Sequence, residues 1–179
     1  MERPADDVTS ALKAVIRDVP DYPRPGIVFK DLTTLFRDAR SFDLAVELLA
    51  GLCDDLRPDV VVGIESRGFI LGGALAYRLK TGFVPARKAG KLPYRTLGCS
   101  YQLEYGEDRI EMHEDAIAAG QRAIVVDDLI ATGGTARAAG ELVETLGGRV
   151  AGYVFLVELS FLAGREKLAG REVHSLLVY

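Results

Sequence analysis

The segment AIVVDDLIATGGTA, residues 123–136, limits the possible folds of this chain more than any other stretch. Its apolar start contains three β-branched residues in a row and reads as a short strand buried on both faces. Such strands lie inside parallel sheets covered by helices. The same plan recurs upstream: DVVVGI (59–64) reads as a buried strand, ESRG (65–68) as a tight connection and FILGGALAYRLK (69–80) as the following helix. FVPARK (83–88) and RVAGYVFLVEL (149–159) predict two more strands, and a helix from about Thr135 to Leu146 separates the last two. Alternating strand and helix periods without a repeat define an α/β class, with parallel strands joined by right-handed crossovers.

The flanking regions are less regular. Leu12, Val15, Ile16 and Val19 form a helical stripe that stops at PDYPRPG, where three prolines and a glycine impose a loop over 20–27. Phe42, Ala45, Val46, Leu49, Leu52, Cys53 and Leu56 recur at helical spacing, and Ser41 is the predicted cap. Between Ala89 and Gly120 the pattern changes. KAGKLPYRTLGCS is basic and turn-rich, and YQLEYGEDRIEMHED reads as one or two strands of a hairpin, predicting a flap over the C-terminal edge of the sheet. With 179 residues and 49% hydrophobic content, the chain is read as one domain, 1–179.

Composition removes several classes of function. A net charge of −4 disfavours non-specific nucleic-acid binding, which needs surplus Lys and Arg. No apolar run approaches the roughly 18 residues of a membrane span, and MERPADDVTS lacks a signal-peptide plan, so a cytoplasmic protein is expected. Cys53 and Cys99 are far apart and lie in no zinc spacing, which favours a reducing compartment. His113 and His174 have no partners at metal or triad spacing.

The chemistry concentrates in residues 127–135. The glycines of ATGGT let successive backbone N–H groups and a helix N-terminus face an anion, with Thr132 and Thr135 adding hydroxyl donors. No Lys precedes the last hydroxyl residue, so this is not a Walker A loop. Asp127 and Asp128 would repel a bare phosphate, yet carboxylates accept well from a sugar diol. A ribose carrying a 5′-phosphate satisfies both halves of the segment.

IVVDDLIATGGTA resembles the phosphoribosyl pyrophosphate signature of type I phosphoribosyltransferases. Five other segments, PDYPRPGIVFKDLTTLF (20–36), GIESRGFILGGALA (63–76), ARKAGKLP (86–93), SYQLEYG (100–106) and VELSFLAGREKL (157–168), resemble the adenine-using branch of that family. The match is collinear and covers nearly the whole chain. It implies a central, mostly parallel sheet flanked by helices with a small flap or hood. The implied reaction takes adenine and phosphoribosyl pyrophosphate to AMP and pyrophosphate, with Mg²⁺ as cofactor, in a cytoplasmic homodimer.

The resemblance also implies roles for individual residues. Asp127 and Asp128 would hold the ribose hydroxyls, and Ala131, Thr132, Gly133, Gly134 and Thr135 the 5′-phosphate. Pyrophosphate would meet Glu65, Ser66 and Arg67, whose loop often contains a cis peptide in this family, here between Glu65 and Ser66. Arg87, Lys88 and Lys91 would reach the same group, the Arg commonly across the dimer interface. Adenine would lie against Val28, Phe29 and Lys30 in the N-terminal base-binding segment (20–36). In the flap (89–120), Glu104 would handle the N7 proton while Tyr105 closes over the site, with Arg67 completing the catalytic set. No protein cage for Mg²⁺ is expected, since substrate oxygens and water would hold it.

Two departures are informative. Relatives that use 6-oxopurines carry an acid where this chain has Ala131, which points away from those bases. Many adenine-using relatives carry Arg where this chain has Lys30, so a side-chain role there is open while a backbone contact survives. An enzyme for another purine, or a regulator that keeps the phosphate cup but binds nucleic acid, are the competing readings. The acidic balance and the retained flap Glu argue against the second.

Overall fold

The computed structural model of the protein describes residues 6–102 and 107–179. The elements are α1 (Asp6–Val15), β1 (Arg17–Pro20), β2 (Val28–Asp31), α2 (Thr33–Arg37), α3 (Ala39–Leu52), β3 (Val60–Ile64), α4 (Gly68–Leu79) and β4 (Gly82–Lys88). They continue with β5 (Thr96–Gln102), β6 (Glu107–His113), β7 (Arg122–Ile130), α5 (Gly134–Thr145), β8 (Arg149–Glu158) and β9 (Val173–Val178). Two 3-10 turns, Ser160–Leu162 and Gly164–Leu168, connect β8 to β9.

Seven strands form the main sheet in the order β5-β6-β4-β3-β7-β8-β9. From β4 to β9 every pairing is parallel. The β5-β6 hairpin, the stem of the expected flap, grows antiparallel from the end of β4 through Arg87↔Glu111 and Lys88↔Ile110. The chain steps from β3 to β4 in one direction and from β7 to β8 in the other. Right-handed crossovers therefore put α4 and α5 on opposite faces. Leu71 and Leu75 of α4 pack with Leu12 and Leu49 against Ile124 and Val126, whereas Ala139, Leu142 and Val143 of α5 pack with Val125, Tyr153 and Phe155. The winding reverses between β3 and β7, and there the loops after the strands diverge to leave a crevice.

Local chemistry explains where the elements depart from the sequence expectations. Val19 is not helical: it precedes Pro20, whose ring disfavours helix in the preceding residue, and it pairs with Phe29 in a separate two-stranded ribbon. Asp38, not Ser41, caps α3, accepting from Ser41 N at 2.8 Å, because an acidic side chain also complements the positive end of the helix. β9, unforeseen in the sequence, is an edge strand paired with β8. Its mixed residues, VHSLLV, lack the continuous apolar run of an inner strand.

Candidate active site

Each loop of the crevice is built by a strand that ends and a helix that starts. β3 delivers Glu65, Ser66 and Arg67 to the N-terminus of α4, and β7 delivers Ala131, Thr132 and Gly133 to the N-terminus of α5. Neither helix has a side-chain cap, in contrast to α3. At both helix starts the dipole favours an anion, although in α4 Phe69 N and Ile70 N already donate to the Ser66 and Arg67 carbonyls at 3.2 and 3.1 Å.

Two glycines make this approach possible. A Cβ on Gly68 would sit 2.9 Å from Asp127 Oδ1 and from the Val126 carbonyl, so only glycine lets α4 start against β7. Gly133 has φ +76°, and its Cβ would lie 2.2 Å from the Gly164 carbonyl. The phosphate-type loop is therefore backed by the 3-10 turn at Gly164, part of the VELSFLAGREKL segment.

The acidic pair is divided between two environments. Asp128 is only 3% exposed, and its carboxylate forms an ion pair with Arg67 Nε. Among the described residues the terminal nitrogens of Arg67 make no hydrogen bond, and its guanidinium lies 5.6 Å from the Phe29 ring centre. Asp127 accepts from Asp128 N at 2.8 Å. Burial first, and the neighbouring Asp128 second, push the Asp127 carboxyl well above the ordinary carboxylate range, although solvent reaches part of the residue. The expectation of two equivalent acceptors is thus refined: one carboxylate is ion-paired, and the other holds its proton more tightly.

Glu65 plays a part the sequence did not announce. Its Oε1 and Oε2 accept from Arg87 Nη2 at 3.1 Å and Nε at 3.2 Å, and Oε2 also accepts from Lys88 N at 3.0 Å. The Arg87 guanidinium, ahead of its other partners, holds this carboxyl below the usual range. The Glu65 side chain therefore orients cations, and only its backbone is left to meet an anion. The Glu65–Ser66 peptide is cis. Ser66 is exposed, Lys88 Nζ pairs with Asp108 at 3.2 Å, and Lys91 stands exposed beside Arg87, which donates to the Lys91 carbonyl at 2.8 Å.

Beside the start of α5, a cavity of about 320 Å³ is lined by Tyr101, Gly134, Arg137 and Lys167, two of them cations not anticipated in the sequence. A second cavity, about 1140 Å³, follows β9 and lies away from this chemistry. In the ribbon, Val28 is 49% exposed and Phe29 touches both Arg67 and Tyr22. Lys30 points elsewhere, with Nζ 2.6 Å from Asp18. Glu104 and Tyr105 lie outside the described residues. No group of three or more His, Cys, Asp or Glu among the described residues is placed to hold a metal, and no described helix is long and apolar enough to cross a membrane.

A carboxylate pair, a glycine-built anion loop and an arginine meeting at a switch point are what a sugar phosphate with an anionic leaving group requires. The chain belongs to the phosphoribosyltransferases: the family model described as phosphoribosyl transferase domain matches residues 32–175. Within them its relatives are adenine phosphoribosyltransferases. That of Symbiobacterium thermophilum is 54% identical over 167 residues, covering 93% of this chain and 98% of the relative. The crystal structure of the Rhodothermus marinus enzyme, at 53% identity, superposes with a TM-score of 0.92 and covers 98% of this chain and all of that one (100%). The Saccharomyces cerevisiae enzyme, complexed with an imino-altritol bisphosphate and adenine, is 42% identical with a TM-score of 0.90, covering 97% and 100% of the two chains.

Proposed function

We propose that this chain transfers the 5-phosphoribosyl group from phosphoribosyl pyrophosphate to adenine, releasing AMP and pyrophosphate in purine salvage. The observation that carries this is the crevice between β3 and β7, where Arg67 faces Asp128 beside the uncapped start of α5. The yeast relative, solved with adenine and a sugar bisphosphate, supports the same pairing of ligands.

In this reading adenine N9 attacks the anomeric carbon as the bond to pyrophosphate breaks, so cationic character grows on the ribose and negative charge on the leaving group. Ala131 to Thr135 seat the 5′-phosphate. Asp127 and Asp128 accept from the ribose hydroxyls and sit where positive charge develops. Arg67, with Arg87, Lys88 and Lys91, receives the leaving group along with the backbone of Glu65 and Ser66, and Arg67 exchanges Asp128 for phosphate oxygens as the ligand arrives. Val28 and Lys30 read the base edge through their backbones while Phe29 gives apolar contact. Glu104 takes the N7 proton and Tyr105 covers the base.

The donor set of Asp127, Asp128 and nearby hydroxyls fits a hard cation carried on substrate oxygens and water. Mg²⁺, when bound, neutralises the diphosphate charge. We further read the chain as a homodimer of the cytoplasm, where both free cysteines would stay reduced.

The test is pyrophosphate release from phosphoribosyl pyrophosphate and Mg²⁺ against a panel of purines. Adenine should be consumed fastest. Faster consumption of hypoxanthine or xanthine overturns the base assignment, and no release with any purine overturns the enzyme.

A further inference from the structure

The strand assigned to adenine is not part of the main sheet. Among the described residues β2 pairs only with β1, and a two-stranded ribbon is marginal in water without outside support. Its position therefore depends on what grips it from the rest of the molecule. Two cation-on-ring contacts do so, one on each side. On the crevice side, the Arg67 guanidinium lies over the Phe29 ring at 5.6 Å. On the far side, Lys30 Nζ lies 4.2 Å from the centre of the Tyr179 ring while pairing with Asp18 at 2.6 Å.

Tyr179 is itself firmly held by the main sheet. Its N–H donates to the Glu158 carbonyl at 2.9 Å, and its own carbonyl accepts from Ser160 N at 3.0 Å and Ser160 Oγ at 2.6 Å. A second ammonium, Lys13 Nζ, lies 4.8 Å from the ring centre and donates to the Val178 carbonyl at 2.6 Å. The ring is thus shared by two cations, one from α1 and one from the base-reading strand. The Lys30 side chain is consumed by this contact and by Asp18, which leaves its backbone as the group available to the base.

We propose that Tyr179 is a positioning residue for the base: its ring receives Lys30 and fixes β2 at the depth where the backbones of Val28 and Lys30 meet adenine. The proposal rests on the reading of this site as an adenine site. It requires that loss of the ring weaken adenine and leave the sugar-phosphate machinery, built on β3 and β7, unaffected.

The experiment compares KM for adenine, KM for phosphoribosyl pyrophosphate and kcat in the wild type, Tyr179→Leu and Tyr179→Phe. Leu keeps apolar bulk but has no π face, so adenine KM should rise about tenfold. The other two parameters should stay within about twofold, and Tyr179→Phe should match the wild type, because the Phe face also attracts a cation. An unchanged adenine KM in Tyr179→Leu, equal rises in both KM values, or equal damage in Tyr179→Phe each overturn the proposal. If Tyr179→Leu fails to fold, Lys30→Met removes the cation and keeps the backbone clasp of Tyr179, and an unchanged adenine KM there overturns the proposal equally. Wild-type protein inactive with adenine would overturn the base assignment and this proposal together. An active wild type with unaffected variants overturns this proposal alone.

Discussion

Arg67 and Asp128 form an ion pair across the line where the winding of the sheet reverses, one residue following β3 and the other lying near the end of β7. In the proposed reaction the pair keeps a cation ready for the leaving group. Arg67→Gln should strand a nearly buried carboxylate. With Arg67 42% exposed, the cost is discounted to about 1–2 kcal/mol from the value for a fully buried pair. A rise of at least about tenfold in KM for phosphoribosyl pyrophosphate should accompany it. Chemical denaturation and steady-state kinetics check both.

Asp127→Asn should trade activity for stability. Because the folded protein raises the Asp127 pKa, its favourable contribution belongs to the protonated form and is lost as pH rises through the folded value. Asn removes this penalty and still accepts from Asp128 N. The variant should melt about 2–4 °C higher at neutral pH, with a smaller gain in acid, while turnover falls about a hundredfold. Thermal melts at two pH values test the sign.

Gly133→Ala and Gly120→Ala separate backbone strain from collision. Both positions have positive φ, +76° and +78°, but only at Gly133 does the new Cβ meet an atom, the Gly164 carbonyl. Gly120→Ala should cost about 1 kcal/mol and leave KM unchanged. Gly133→Ala should cost more and weaken phosphoribosyl pyrophosphate specifically.

Glu158→Gln probes a charge pair behind the 131–133 loop, since Glu158 pairs with Ile130 in the sheet and Arg165 follows Gly164. Glu158 is 7% exposed, and Arg165 grips it at 2.6 and 3.1 Å, which above all holds its carboxyl low. A lowered carboxylate stabilises above its unfolded value and loses that contribution as pH falls through the folded one. The wild-type urea midpoint should therefore fall more steeply than that of the variant between about pH 5 and pH 3.

Glu104→Gln addresses the flap. Turnover should drop about 10²- to 10⁴-fold while adenine KM changes little, as expected for a proton acceptor. Unchanged turnover would remove Glu104 from that role.

The inner strands and both strand-loop-helix units were readable because runs such as VVVGI and AIVV have one stable fate, burial on both faces. The turn at 131–134 was readable because glycine carries its backbone freedom locally. What escaped was non-local. The diversion of Glu65 to Arg87 depends on strand order, which no spacing encodes. The direction of the Lys30 side chain depends on a ring 149 positions away, at Tyr179. Strand β9, with His174 and Ser175 amid apolar residues, declares itself only beside β8.

Among the described residues, the ribbon proposed to read the base and the crevice proposed to hold the sugar phosphate share no ladder hydrogen bonds. Over evolutionary time, the first can be rewritten without re-registering the second. A chain built this way can adjust its nucleobase contact within residues 17–31 and at Tyr179 while keeping Arg67, the foothold that also serves the transfer chemistry.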